Sequence, residues 1–124
     1  MKVIRPQDVE PRPGVEGKFT PGVWHEELVE AQTDGGMRLH RFFYEPGARS
    51  HWHEHEGEQA ILVVAGSGLI GKEGEQVTEV GPGDVIYVAP GERHWHGAAA
   101  NHLFTHLALT ASGGTKWYGA APTA

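Results

Sequence analysis

Short apolar or alternating runs recur along this chain between turn-forming clusters, and no segment carries a sustained helical stripe. That pattern predicts an all-β sandwich or barrel. Candidate strands are Met37–Tyr44, Ser50–His55, Gln59–Val64, Gly68–Lys72, Glu75–Val80, Asp84–Val88, His94–Ala98 and His102–Thr110. The breaks between them include Glu45-Pro46-Gly47, Glu56-Gly57-Glu58, Ala65-Gly66-Ser67, Glu73-Gly74, Gly81-Pro82-Gly83 and Pro90-Gly91. Each offers a residue suited to a turn or to a positive φ angle. The run Ala60-Ile61-Leu62-Val63-Val64 is continuous rather than alternating, which predicts the most buried strand. Residues 1–36 carry Pro6, Pro11, Pro13 and Pro21 and read as an extended arm with an edge strand around Gly22–Val29. Residues 37–110 form the body. The tail, 111–124, is rich in glycine and alanine around Trp117-Tyr118, a pair that suits docking onto a body or a partner as well as it suits a frayed end.

Composition narrows the classes of function. A length of 124 residues fits a single domain, and a 39% hydrophobic content is enough for one core. The net charge is -6 and no cluster of lysine or arginine occurs, so nucleic acid and anionic membrane are excluded as expected partners. The chain has no cysteine, which rules out a disulfide framework and any thiolate ligand or nucleophile. The apolar runs are too short to span a bilayer, and Arg5, Pro6 and Gln7 follow Met1-Lys2-Val3-Ile4 where a secretory leader would turn apolar. The expected location is cytoplasmic.

The chemistry concentrates in His51-Trp52-His53-Glu54-His55-Glu56-Gly57-Glu58-Gln59 and in His94-Trp95-His96. Five of the nine histidines lie in these two stretches. Successive strand side chains point to opposite faces, so His51, His53 and His55 share one face, and His94 and His96 share another. Imidazoles gathered on one face of neighbouring strands suit a transition metal. By the same alternation Trp52 and Trp95 face away from them, outside the barrel or at a subunit contact. Glu54, Glu56 and Glu58 read as solvated turn charges.

The spacing resembles that of the cupin superfamily. Gly47, five residues, His53-Glu54-His55, three residues, Gln59, six residues and Gly66 match its first motif. Gly83-Asp84 followed by Pro90-Gly91-Glu92-Arg93-His94 matches its second, although Ala89 stands at the usual proline and Ala98 at the usual asparagine. The resemblance implies a small double-stranded β-helix, the jelly-roll or cupin barrel, with His53, His55, Gln59 and His94 as metal ligands. Gln59 replaces the usual glutamate. Its amide oxygen is neutral, so a bound ion keeps its full positive charge and is biased toward Lewis-acid work. Manganese, iron, nickel and zinc all suit these ligands, and similarity to manganese-dependent cupins makes manganese the first expectation as cofactor.

Further along, Phe104, His106 and Ala108 share a strand face, and His40 shares one with Phe42 and Tyr44. His106 and His40 are the expected catalytic bases. His96, Phe42, Phe104 and Ala108 are expected around the metal, with His51 on the rim. The run Pro82–Val85, Pro90–Ala99 and Thr105–Ala108 is similar to small bacterial cupins that include manganese-dependent hydroxynitrile lyases. That likeness implies a metal-dependent lyase acting on a small organic substrate inside the barrel. The alternatives are an iron or manganese dioxygenase and a small-ligand-binding cupin without turnover. A homodimer is expected, since a barrel this small has a limited core.

Overall fold

The computed structural model describes residues 1–122 and is almost wholly β, with one short 3-10 turn at Pro6–Asp8. Its strands are β1 (Arg12–Pro13), β2 (Val23–Val29), β3 (Met37–Tyr44), β4 (His53–His55), β5 (Gln59–Gly66) and β6 (Gly68–Lys72). They continue with β7 (Thr78–Val80), β8 (Val85–Val88), β9 (His94–Ala98), β10 (Phe104–Ala111) and β11 (Thr115–Trp117). Two antiparallel sheets face each other. One has the order β1-β2-β3-β10-β5-β8 and the other the order β11-β4-β9-β6-β7. This is an all-β barrel, as the turn spacing predicts, in the jelly-roll form that the resemblance to cupins implies.

Met37–Tyr44, Gly68–Lys72 and His94–Ala98 form as alternation predicts. The predicted Ser50–His55 strand shortens to β4. Ser50 bridges Phe19 instead, and its N–H donates to the His96 carbonyl. The edge strand expected near Gly22–Val29 forms as β2, but β1 pairs outside it. The tail docks on its own barrel: β11 pairs with β4, setting Thr115 opposite His55 and Trp117 opposite His53. The Arg93 guanidinium lies 3.6 Å from the centre of the Tyr118 ring and pins the segment that follows.

Two expectations are overturned. The Ala60–Val64 run is not buried on both faces. Ile61 and Val63 are buried, whereas Leu62 and Val64 are 41% and 49% exposed. Their sheet is covered by the second sheet on its inner face, and its outer face has no covering layer, so a continuous apolar run still alternates in burial. Trp95 does face away from the histidines, yet it is not at the surface, being 1% exposed. Gly71 leaves room for the indole, where any Cβ would overlap it, and the Arg49 guanidinium covers it at 4.5 Å.

Ladder register places the functional side chains. Directly opposed residues share a face, so the inner face of the larger sheet presents four rows. They run Arg38–Thr110–Gln59, His40–Ala108–Ile61, Phe42–His106–Val63 and Tyr44–Phe104–Gly66. The last row belongs to the apolar core with Val23, Ala48, Val80 and Ala98. Gly66 has φ +82° at this end, and a Cβ there would overlap the Leu103 carbonyl, so glycine is required for the chain to turn. One end of the barrel is therefore packed solid, and the Arg38–Thr110–Gln59 end is open.

Candidate metal centre

Strands β4 and β9 pair His53 directly with His94, and the two rings lie 4.3 Å apart between centroids. His55 follows on β4, with its ring 5.1 Å from that of His53 and 5.6 Å from that of His94. Gln59 reaches in from the facing sheet. All four are buried. Each imidazole is oriented by its Nδ1. That of His53 donates to the His51 carbonyl at 2.8 Å, and that of His94 to the Glu92 carbonyl at 2.9 Å. That of His55 lies 2.9 Å from Thr115 Oγ1. An Nδ1 that donates to a carbonyl leaves Nε2 as a bare lone pair.

The remaining atoms lack partners. Gln59 Nε2 donates to Thr110 Oγ1 at 3.0 Å, and this leaves its Oε1 buried without a donor. His55 Nε2 and His94 Nε2 are buried without a partner as well. Three orphaned acceptors gathered in one place are costly in a protein interior unless a cation or a donor fills the space between them. The donor set suits a divalent transition ion. His53, His94 and His96 also place ring nitrogens within 4.8 Å of one another, so a three-histidine cluster able to bind a metal ion is present.

His96 has different surroundings from the other three. Its Nδ1 is 2.6 Å from Tyr44 Oη, which in turn is 3.0 Å from His106 Nε2. His106 Nδ1 faces the Leu107 carbonyl at 3.3 Å and donates to it. His106 Nε2 is then an acceptor, Tyr44 O–H donates to it, and His96 Nδ1–H donates to Tyr44. The chain of bonds leaves the His96 Nε2 lone pair unused. Replacing Tyr44 by phenylalanine removes the one partner that these two buried ring nitrogens share among the described residues. It is expected to cost about 1–3 kcal/mol, read as a fall in the denaturation midpoint; an unchanged midpoint would refute this bond chain.

Burial governs the protonation of these groups. It pushes the His55 and His106 imidazoles down to about 4 and holds those of His53 and His96 well below the ordinary range. His94 is lowered for the same reason. All five are neutral at pH 7, the state in which imidazole ligates a metal or accepts a proton. Tyr44 is raised well above the ordinary phenol range by burial and stays protonated.

A cavity of about 210 Å³ opens onto this centre. Of the residues expected there, His53, His55, Gln59, His96, His40, Phe42 and Ala108 line it. His106 is fully buried behind Phe42, with the rings stacked at 5.2 Å and 26°. Phe104 packs beneath Tyr44 in the core, and His51 is half-buried. Thr110, Thr115 and Arg38 are site residues that the sequence pattern did not single out, and Tyr44 and Trp117 were marked there only as a face-mate of His40 and as part of the aromatic tail. Tyr44 and Thr110 were within reach of the alternation that selects Phe42 and His106. Trp117, stacked on His53 at 4.6 Å, arrives only through the pairing of β11 with β4.

The cupin domain pattern matches residues 40–104. An (R)-mandelonitrile lyase of Granulicella tundricola is 52% identical over 91 residues, spanning 73% of this chain and 70% of that protein. A cupin-like protein of Thermotoga maritima superposes with a TM-score of 0.85 at 32% identity, covering 89% of this chain and 86% of that one. The polyketide cyclase RemF of Streptomyces resistomycificus superposes at 0.81 with 24% identity, covering 98% and 87%, and shares the fold.

Proposed function

The chain belongs to the cupin domain family, and on that premise we propose that it is a metal-dependent lyase that cleaves a small α-hydroxynitrile inside the barrel. The metal would be held by Nε2 of His53, His55 and His94 and by Oε1 of Gln59, manganese before iron, nickel or zinc. The observation that carries this reading is the set of buried acceptors left without partners on three of those four residues. The mandelonitrile lyase name of the Granulicella relative supports the reaction class. A divalent cation bound there supplies positive charge to a substrate oxygen and makes its hydroxyl more acidic.

The side chains around the ligands divide the remaining work. His96, neutral and lining the cavity, accepts the substrate hydroxyl proton at Nε2. Tyr44 and His106 act behind it as positioning residues, because the bond chain fixes the His96 tautomer and ring plane. As the hydroxyl loses its proton, the carbon–cyanide bond breaks, a carbonyl forms, and cyanide departs with the bonding pair. The proton held at His96 Nε2 then returns to the departing cyanide as hydrogen cyanide, which restores neutral His96, and His40, 3.4 Å from Glu27, lines the cavity as a hydrogen-bonding neighbour. Phe42, Phe19 and Trp117 surround the space with apolar surface that suits an aryl or alkyl substituent.

The test is release of cyanide from (R)-mandelonitrile by protein loaded in turn with manganese, iron, nickel and zinc. Release above the spontaneous rate, absent from metal-free protein and from the His94→Ala variant, is the expected result. No release from this nitrile or from a carboxylate-bearing aryl hydroxynitrile, with any of the four ions at full occupancy, would reject the lyase reading.

A further inference from the structure

The walls of the cavity have a charge that the chain as a whole does not. The protein carries 16 acidic against 10 basic side chains, yet no Asp or Glu lines the cavity and both Lys18 and Arg38 do. Glu27, 3.4 Å from His40, faces an outer recess that it forms with Asp8, Glu10 and Arg12. Neither Lys18 nor Arg38 has a carboxylate within ion-pair distance among the described residues; the ion pairs there involve His40, Arg41, Lys72 and Arg93.

Arg38 occupies the open row opposite Thr110 and Gln59. Its guanidinium donates to the Gly113 carbonyl at 3.0 Å and to Thr115 Oγ1 at 3.4 Å. Those bonds fix the group against the β10–β11 connection and use two of its five N–H donors. The others remain for a ligand. Lys18 lies 5.6 Å from the centre of the Trp117 ring, and Trp117 stacks on His53. The cavity thus joins aromatic walls to two cations that have no counter-ion among the described residues. A half-buried guanidinium without an anion forgoes the strongest hydrogen bonds available to it, and a carboxylate meets its fork with two.

We infer that the substrate carries a carboxylate in addition to its apolar body, bound by Arg38 with Lys18 assisting. This inference deepens the lyase reading and rests on it for the reacting end of the molecule: the hydroxynitrile lies at the metal ligands and the carboxylate at Arg38. A neutral aryl hydroxynitrile would leave both cations unanswered.

The probes are phenylacetate and phenylacetamide, which match in shape and differ in charge. Binding is measured by titration calorimetry on the full-length metal-free protein, so neither a metal–carboxylate bond nor turnover contributes. Phenylacetate is expected to bind about tenfold or more tightly than the amide, and added salt weakens the acid alone. In Arg38→Gln the preference falls to within about twofold, and Arg38→Lys retains part of it because the charge survives without the fork. Lys18→Gln, at an exposed position, lowers the preference about two- to fivefold and carries the test if Arg38→Gln fails to fold. Equal affinity for acid and amide, or a preference unchanged in the variants that fold, would overturn the proposal. Charge preference without cyanide release rejects the lyase reading and leaves the anion site standing. Cyanide release without charge preference does the reverse.

Discussion

Replacing His94 with alanine is expected to empty the proposed metal centre. Bound metal is expected to fall from about one ion per chain to a small fraction of that, by elemental analysis after dialysis against trace metal. Apparent binding energies of four-ligand zinc sites are of the order of 10–16 kcal/mol, so one ligand is worth about 3 kcal/mol, or roughly 100-fold in affinity. His94 has nothing else to do with its Nε2, which is buried and unpartnered. Its Nδ1–H already serves the Glu92 carbonyl. The thermal consequence is separable from damage to the fold. Metal at a hundredfold excess over Kd stabilises the native protein by about 2.7 kcal/mol, and this gain disappears in the variant. The same measurement on His96→Ala decides between two ligand sets, because His96 belongs to the three-histidine cluster but is bonded to Tyr44. Retained metal in His96→Ala with lost metal in His94→Ala supports the set of His53, His55, Gln59 and His94. The opposite pattern would discard it.

The metal-free protein unfolds in mild acid. Burial depresses the His55 and His106 imidazoles to about 4 from an ordinary 6.5. The unfolded chain therefore takes up protons as the pH falls below 6.5, while the folded chain does not until near 4. Stability rises with pH wherever the unfolded state holds more protons, so the stabilisation is complete above about pH 6.5 and drains away below it. A depression of about 2.5 units corresponds to roughly 3 kcal/mol for each of the two residues at the acid end of that window. His53 and His96 lose stability in the same direction. A small domain has only about 5–15 kcal/mol in total, so an acid midpoint between about pH 4 and 6 is expected. Circular dichroism against pH reads this directly. A melting temperature that held constant from about pH 7 to 4.5 would show that these imidazoles are not buried in neutral form.

Much of the site lies in two short stretches of chain. His53 and His55 share a face because strand side chains alternate, and His94 and His96 do for the same reason. Both relations are local and need no knowledge of the fold. Gln59 was legible only through its spacing from the histidines, since a lone glutamine has no pattern of its own. The roles of His40 and His106 were not separable in the sequence. Both sit mid-strand beside aromatic residues, yet His40 lines the cavity while His106 lies behind Phe42 with its Nε2 facing Tyr44. That difference arises from one row of ladder register, and register is a relation between distant segments. The Ala60–Val64 run misled for a related reason. Composition reports how apolar a strand is, and the presence of a second layer over its outer face decides whether that surface is buried.

The sequence by itself determined the strand alternation, the turns and which side chains are candidates to hold a metal, because each depends on residue type and on spacing within a few positions. Tertiary structure alone decided which buried atoms lack partners, that Tyr44 links His96 to His106, and that β11 brings Trp117 over His53. It also decided that a chain of net charge -6 lines its cavity with two cations and, among the described residues, no carboxylate. These properties belong to groups meeting across strands far apart in the chain. Their energies come from distance, burial and hydrogen-bond geometry, which come into existence only when the two sheets close on each other.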